Sequence, residues 1–141
     1  MTTAYTRVKN KDYAGFSLIE LIITLSIIGI ITSFAIPSYT HIQNKAKETS
    51  IKNTINSLQL AIESYQLENG NYPDATTISN LFTVLKQDGS WTNTAINPFT
   101  KQAFNDSDNS GKIDYTSTNS SYTLIGYGNK NSKQIIKIEF N

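Results

Sequence analysis

The chain has no cysteine and a single histidine, His41, in 141 residues. Without cysteine there are no disulfides, no thiolate metal sites and no cysteine nucleophile. One histidine argues against a multi-histidine zinc centre and against a histidine-based triad. Charge is scarce as well: charged residues make up 16%, and 12 Lys+Arg stand against 11 Asp+Glu, a formal charge of +1. That balance lacks the basic excess of a general nucleic-acid binder. There are no internal repeats and no linker long enough to mark a second globular domain. The length fits one small domain plus one extra element. These absences leave a small, exported, non-enzymatic protein, and the informative signal is where the apolar residues sit.

Residues 16–36 read FSLIELIITLSIIGIITSFAI, and 14 of these 21 are aliphatic or aromatic. As a helix at ~1.5 Å per residue the run is about 31 Å long, which matches a bilayer core. Arg7, Lys9 and Lys11 precede it, and Lys45, Lys47 and Lys52 follow it. This near tie sets no strong orientation. A basic leader before a long apolar run means export or membrane insertion. An ordinary secretory signal is one reading, with Ser33-Phe34-Ala35 as a small-x-small cleavage site. An uncleaved anchor is a second. A buried core helix is a third, which the run length and the leader both disfavour. The anomaly is Glu20, a carboxylate inside the apolar run, which asks for a cationic partner.

Gly15-Phe16-Ser17-Leu18-Ile19-Glu20 resembles the cleavage and methylation motif of type IV pilins and type II secretion pseudopilins. The resemblance implies a cut between Gly15 and Phe16 by a membrane prepilin peptidase. The same enzyme would methylate the new amine of Phe16. Glu20 then falls where the family's assembly glutamate sits, and Gly29 and Pro37 fall where the family carries helix-loosening residues. The local chemistry agrees. Glu20 lies one helical turn from the amine that cleavage would expose. Pairing with a neighbouring subunit's amine would discriminate register, because an offset subunit leaves a buried charge unpaired.

Beyond Pro37 the pattern turns amphipathic. Tyr39, Ile42 and Ala46 share a face, as do Ile51, Ile55, Leu58, Ile62 and Tyr65. One long helix is expected from Phe16 to about Glu68, ended by Asn69-Gly70 and Pro73. Glu68-Asn69-Gly70-Asn71-Tyr72-Pro73 also resembles the end of the long helix in major pseudopilins. A short helix is expected over 78–86, with Leu81, Val84 and Leu85 as its apolar face and Thr76, Thr77 or Ser79 as its cap. Trp91 is expected to plug the head's core. Period-two alternation marks Ile113 and Tyr115, then residues 122–127, then Ile136, Ile138 and Phe140. The expected fold is α+β and pilin-like: a long N-terminal helix, half apolar and half amphipathic, on a small three-stranded antiparallel meander. Residues 1–15 would be a cleaved leader, 16–36 the transmembrane or filament-core helix, and 37–141 the head.

Asp106, Asp108, Ser110 and Asp114, with Gly111 between the last two, resemble the first nine positions of an EF-hand loop. Ser117 stands where that loop has its bidentate glutamate. Calcium is therefore an expectation here, against a plain polar connection into a strand. No cofactor is required. Asp108 and Asp114 lack any accompanying sign of a substrate pocket, so no catalytic role is assigned.

The family resemblance implies a structural subunit, not an enzyme. It would sit as a single-pass inner-membrane protein, in contact with lipid, with its head outside the cytoplasm. It would then polymerise with sister pilins into a periplasmic or extracellular filament. A platform membrane protein and an ATPase are the implied assembly partners. The lack of cysteine departs from many adhesive pilins and favours the pseudopilin branch or a cysteine-free pilin. The alternative is a DNA-uptake or surface-adhesion pilin. From Gly70 onward, six Lys face six Asp+Glu, so no nucleic-acid partner is expected.

Overall fold

The computed structural model describes residues 15–140, so nearly all of the expected leader lies outside the described residues. The chain divides into two units at Ser38/Tyr39. Helix α1, Leu18–Asn69, carries residues of both. It ends as its sequence demands. Gly70 adopts φ +78, and its N–H donates to the Gln66 carbonyl at 2.8 Å, the left-handed cap that closes a helix without Cβ strain. Asn69 Nδ2 adds bonds to the Tyr65 carbonyl and to Asp88 Oδ1 at 3.0 and 2.9 Å.

Helix α2, Ile78–Asp88, opens at Thr77, whose hydroxyl accepts the Asn80 N–H at 3.2 Å, and closes at Gly89 with φ +91. Its buried face is Ile78, Leu81 and Leu85. Val84, expected on that face, is only half-buried, because the stripe runs through Ile78 at i, i+3 and i+7 instead.

Strands β1 (Ile113–Ser117), β2 (Tyr122–Tyr127) and β3 (Gln134–Phe140) form an antiparallel sheet in the order β1-β2-β3. Tyr115 pairs with Leu124 and Leu124 with Ile138, so one face of all three strands is apolar. That face meets Ile51, Ile55, Leu58 and Ile62 of α1, which are fully buried. The buried apolar stripe of α1 starts at Ile51. Tyr39 and Ile42, 63% and 61% exposed, and Ala46 beside them lie on an uncovered face. Helical periodicity identifies a stripe but not where the sheet that covers it begins.

The segment after α1 is tied to the sheet. Tyr115 Oη and Ser117 Oγ both donate to the Pro73 carbonyl, at 3.0 and 2.7 Å. Tyr72 packs against Tyr122, ring centroids 4.9 Å apart, and Phe140 stacks on Tyr122 at 6.3 Å. Burial pushes the Tyr115 and Tyr122 phenols up to about 12. Trp91 packs against the core, with its ring 5.7 Å from Phe82, as the plug expected of it.

Candidate functional site

The described residues of the N-terminal unit present a largely apolar surface. Thirteen large apolar side chains from Phe16 to Ile36 are each 49–87% exposed. Each leaves on the order of 1 kcal/mol or more of burial unrealised in water. The run is long and apolar enough to cross a membrane. Its polar residues are arranged for such a medium. Thr24, Ser26, Thr32 and Ser33 donate their hydroxyls back to the carbonyls of Leu21, Ile22, Ile28 and Ile30, at 2.7–2.8 Å. Four groups that would otherwise need water are satisfied inside the helix.

Glu20 is the one charged side chain of the run. Its Oε2 accepts the Ser17 N–H at 2.9 Å. Ser17 stands just before the helix and Glu20 at its third position, so this is one half of a capping box. Ser17-Leu18-Ile19-Glu20 carries the S-x-x-E signature of that cap in plain sequence, and the assembly reading of Glu20 overlooks it. A carboxylate at a helix N-terminus is favoured by the dipole as well. Glu20 thus lies at the end of α1 where the amine of Phe16 would appear on cleavage. Gly15 and Phe16 are exposed. A Cβ at Gly29 would meet nothing within 4 Å, and α1 continues past both Gly29 and Pro37.

The four residues assigned to calcium are engaged in separate tasks. Asp106 serves α2: Oδ1 accepts the Ile78 N–H at 2.9 Å and Oδ2 the Ser79 hydroxyl at 2.8 Å. Asp108 is buried, with Asn97 Nδ2 on its Oδ2 at 2.9 Å and Asn105 Nδ2 on its Oδ1 at 3.1 Å. Ser110 Oγ donates to the Asn129 carbonyl at 2.7 Å. Asp114 pairs with Lys112 at 2.8 Å, a hydrogen bond that holds the lysine above its ordinary range. Among the described residues no three acidic or histidine side chains converge to hold a metal ion. N–H donors face both oxygens of Asp108.

Gly111 does take a left-handed φ, +68, but for packing: a Cβ there would meet Asn97 Oδ1 and Phe99 Cδ2 at 2.7 Å. Fully buried Asn97 is the organiser that sequence reasoning passes over as a turn residue. Its amide donates to Asp108 and to the Ser110 carbonyl, and its Oδ1 accepts the Phe99 N–H at 2.9 Å.

Asp106→Ala is expected to lower head stability by about 1–2 kcal/mol, the worth of a helix cap. The loss in melting temperature should be the same with chelator and with millimolar calcium. A calcium-induced rise in the wild type that the variant lacks would instead assign Asp106 to an ion.

Residues 10–36 match the family described as the prokaryotic N-terminal methylation motif, and residues 38–135 match the family described as type II secretion system (T2SS), protein G. The chain is 38% identical over 65 residues to the type IV major pilin protein PilA of Myxococcus xanthus, covering 46% of this chain and 30% of that one. It is 31% and 32% identical over 65 residues to type II secretion system core protein G of Pseudomonas aeruginosa and of Vibrio cholerae, covering 46% of this chain and 46% and 44% of theirs. The matched stretch thus spans less than half the length of these relatives. No solved structure matches significantly.

Proposed function

We propose that this chain, which belongs to the type II secretion system protein G family, is a structural subunit cut and methylated at its N-terminus and polymerised into a filament. One observation carries the reading: an apolar run, residues 16–36, with thirteen exposed large apolar side chains, preceded by Gly15 and carrying a lone carboxylate. Such a surface needs two environments in turn. A bilayer covers it before assembly, and sister helices cover it in the filament core.

The leader directs insertion, and a prepilin peptidase cuts at Gly15–Phe16 and methylates Phe16. The subunit waits in the inner membrane with its head outside the cytoplasm. A platform protein and an ATPase then draw it into a periplasmic or extracellular polymer. Within the polymer, Glu20 of one subunit takes the terminal amine of a neighbour, and an out-of-register subunit is rejected because its charge stays unpaired. The chain acts by assembly and not by catalysis. Likeness to both a major pilin and secretion core proteins leaves the polymer either a type II secretion pseudopilus or a type IV pilus-like filament.

The N-terminal peptide from native membranes, measured by mass spectrometry, tests this directly. N-methylated Phe16 is the expected result. A start at Ile36 would mean ordinary secretion of the head. An intact Met1 would mean a plain anchor. Either of these would withdraw the assembly mechanism.

A further inference from the structure

The head carries a concave surface enclosing about 470 Å³, lined on α1 by His41, Lys45 and Glu48 and on the β2–β3 loop by Lys130, Ser132 and Lys133. Three ammonium groups thus surround one carboxylate, and that carboxylate is already taken. Lys133 Nζ bonds both oxygens of Glu48, at 2.9 and 3.1 Å, with the Glu48 side chain only 16% exposed. Among the described residues Lys45 and Lys130 have no ion pair within 4 Å.

The loop is held in place. Gly128 lies so close to Glu48 that a Cβ would sit 2.5 Å from Oε1. The Gly128 N–H donates to the Lys133 carbonyl and the Lys133 N–H to the Lys130 carbonyl, both at 2.9 Å. Asn131 Nδ2 donates to the Asp108 carbonyl at 2.6 Å. The surplus positive charge is therefore preorganised, which lowers the entropic penalty of binding an anion.

We propose that this surface binds the phosphate of an anionic phospholipid and docks the head on the membrane before assembly. The inference rests on the reading that residues 16–36 occupy a bilayer. Two observations select lipid over other anions. His41 and Lys45 follow Ile36, the last residue of the apolar run, by only five and nine positions. Headgroups are consequently present at the high effective concentration of a tethered partner. The second is charge: the head as a whole has no basic excess, so the attraction is local, as for a juxtamembrane basic cluster at an anionic surface.

The full chain, which has no cysteine, accepts a single fluorophore at Gln134→Cys. It is reconstituted into vesicles of phosphatidylcholine, alone or mixed with phosphatidylglycerol, each doped with headgroup-spin-labelled lipid. Quenching is expected to rise with phosphatidylglycerol and to disappear at high salt. Lys45→Gln and Lys130→Gln should each weaken the phosphatidylglycerol-dependent part roughly fivefold, while Lys130→Arg should retain it. Equal quenching in both vesicles, with the protein co-floating with each, would overturn headgroup docking and leave anchoring intact. Failure to co-float with either would overturn the anchoring, and the docking with it. Release by millimolar inorganic phosphate at constant ionic strength would assign the surface to free anions and overturn the lipid role.

Discussion

Glu20→Ala is expected to leave cleavage and methylation at Phe16 intact while cutting incorporation into filaments by roughly a hundredfold or more. The magnitude follows from the buried pair. Removing one partner of a desolvated ion pair costs roughly 3–5 kcal/mol, and every 1.4 kcal/mol is about tenfold in an equilibrium. Here the abandoned partner would be the terminal amine of a neighbour, enclosed among apolar helices. The carboxylate has a second role that must be separated from this one, because its Oε2 accepts the Ser17 N–H at 2.9 Å. Glu20→Gln keeps an acceptor for Ser17 and removes the charge. If charge register governs assembly, the glutamine variant fails as the alanine variant does. If the cap is what matters, glutamine assembles and alanine does not. Quantifying filament-bound against membrane-bound subunit for the two variants separates the roles. Normal incorporation of Glu20→Ala would dispose of the charge-register mechanism.

In the head, the largest effect is expected at Gly126. A Cβ built there would lie 2.3 Å from Ile55 Cδ1, 2.9 Å from Ile136 Cγ2 and 3.3 Å from Ile51 Cγ2. Ile51 and Ile55 are fully buried, so neither can swing into solvent. Strand β2 crosses α1 with no room for a side chain at this point, which is the usual reason for glycine inside a strand. Gly126→Ala should destabilise by about 1–3 kcal/mol through overpacking, and Gly126→Val by more. For a head of about a hundred residues, each kcal/mol lowers the melting temperature by roughly 4–8 °C. Ile55→Val deletes the offending Cδ1 atom. The double variant should therefore lose less than the sum of the single losses, a coupling that a thermodynamic cycle reads directly. Strict additivity, or a Gly126→Ala melting temperature indistinguishable from wild type, would mean that this crossing is not close-packed.

Much of the fold is legible because it is local. The long helix, its stop at Asn69-Gly70, the cap at Thr77 and the three alternating strands all rest on signals repeating every two to four residues. The N-terminal motif is legible for the same reason: Gly15, Phe16 and Glu20 stand within six residues. The loop at 106–114 is less legible because its spacing is compatible with two uses. Alternating oxygens could wrap a cation, yet Asp106 is taken by Ile78 and Ser79, 28 and 27 residues away along the chain. The stripe Tyr39, Ile42 and Ala46 misleads, since periodicity records which residues share a face and not how far a covering sheet extends.

By itself, the sequence of this protein determined the apolar run and its lone carboxylate, the processing motif, the helix ends and the strand alternation, because each is encoded by neighbours within one or two turns. Tertiary structure alone decided that Asp106 caps α2, that Asn97 holds the loop around Asp108, and that Gly126 admits Ile55. It also decided that Lys133 crosses 85 residues to reach Glu48. These partners meet only when the sheet closes on α1, and no local propensity records which distant side chains that closure brings within bonding distance.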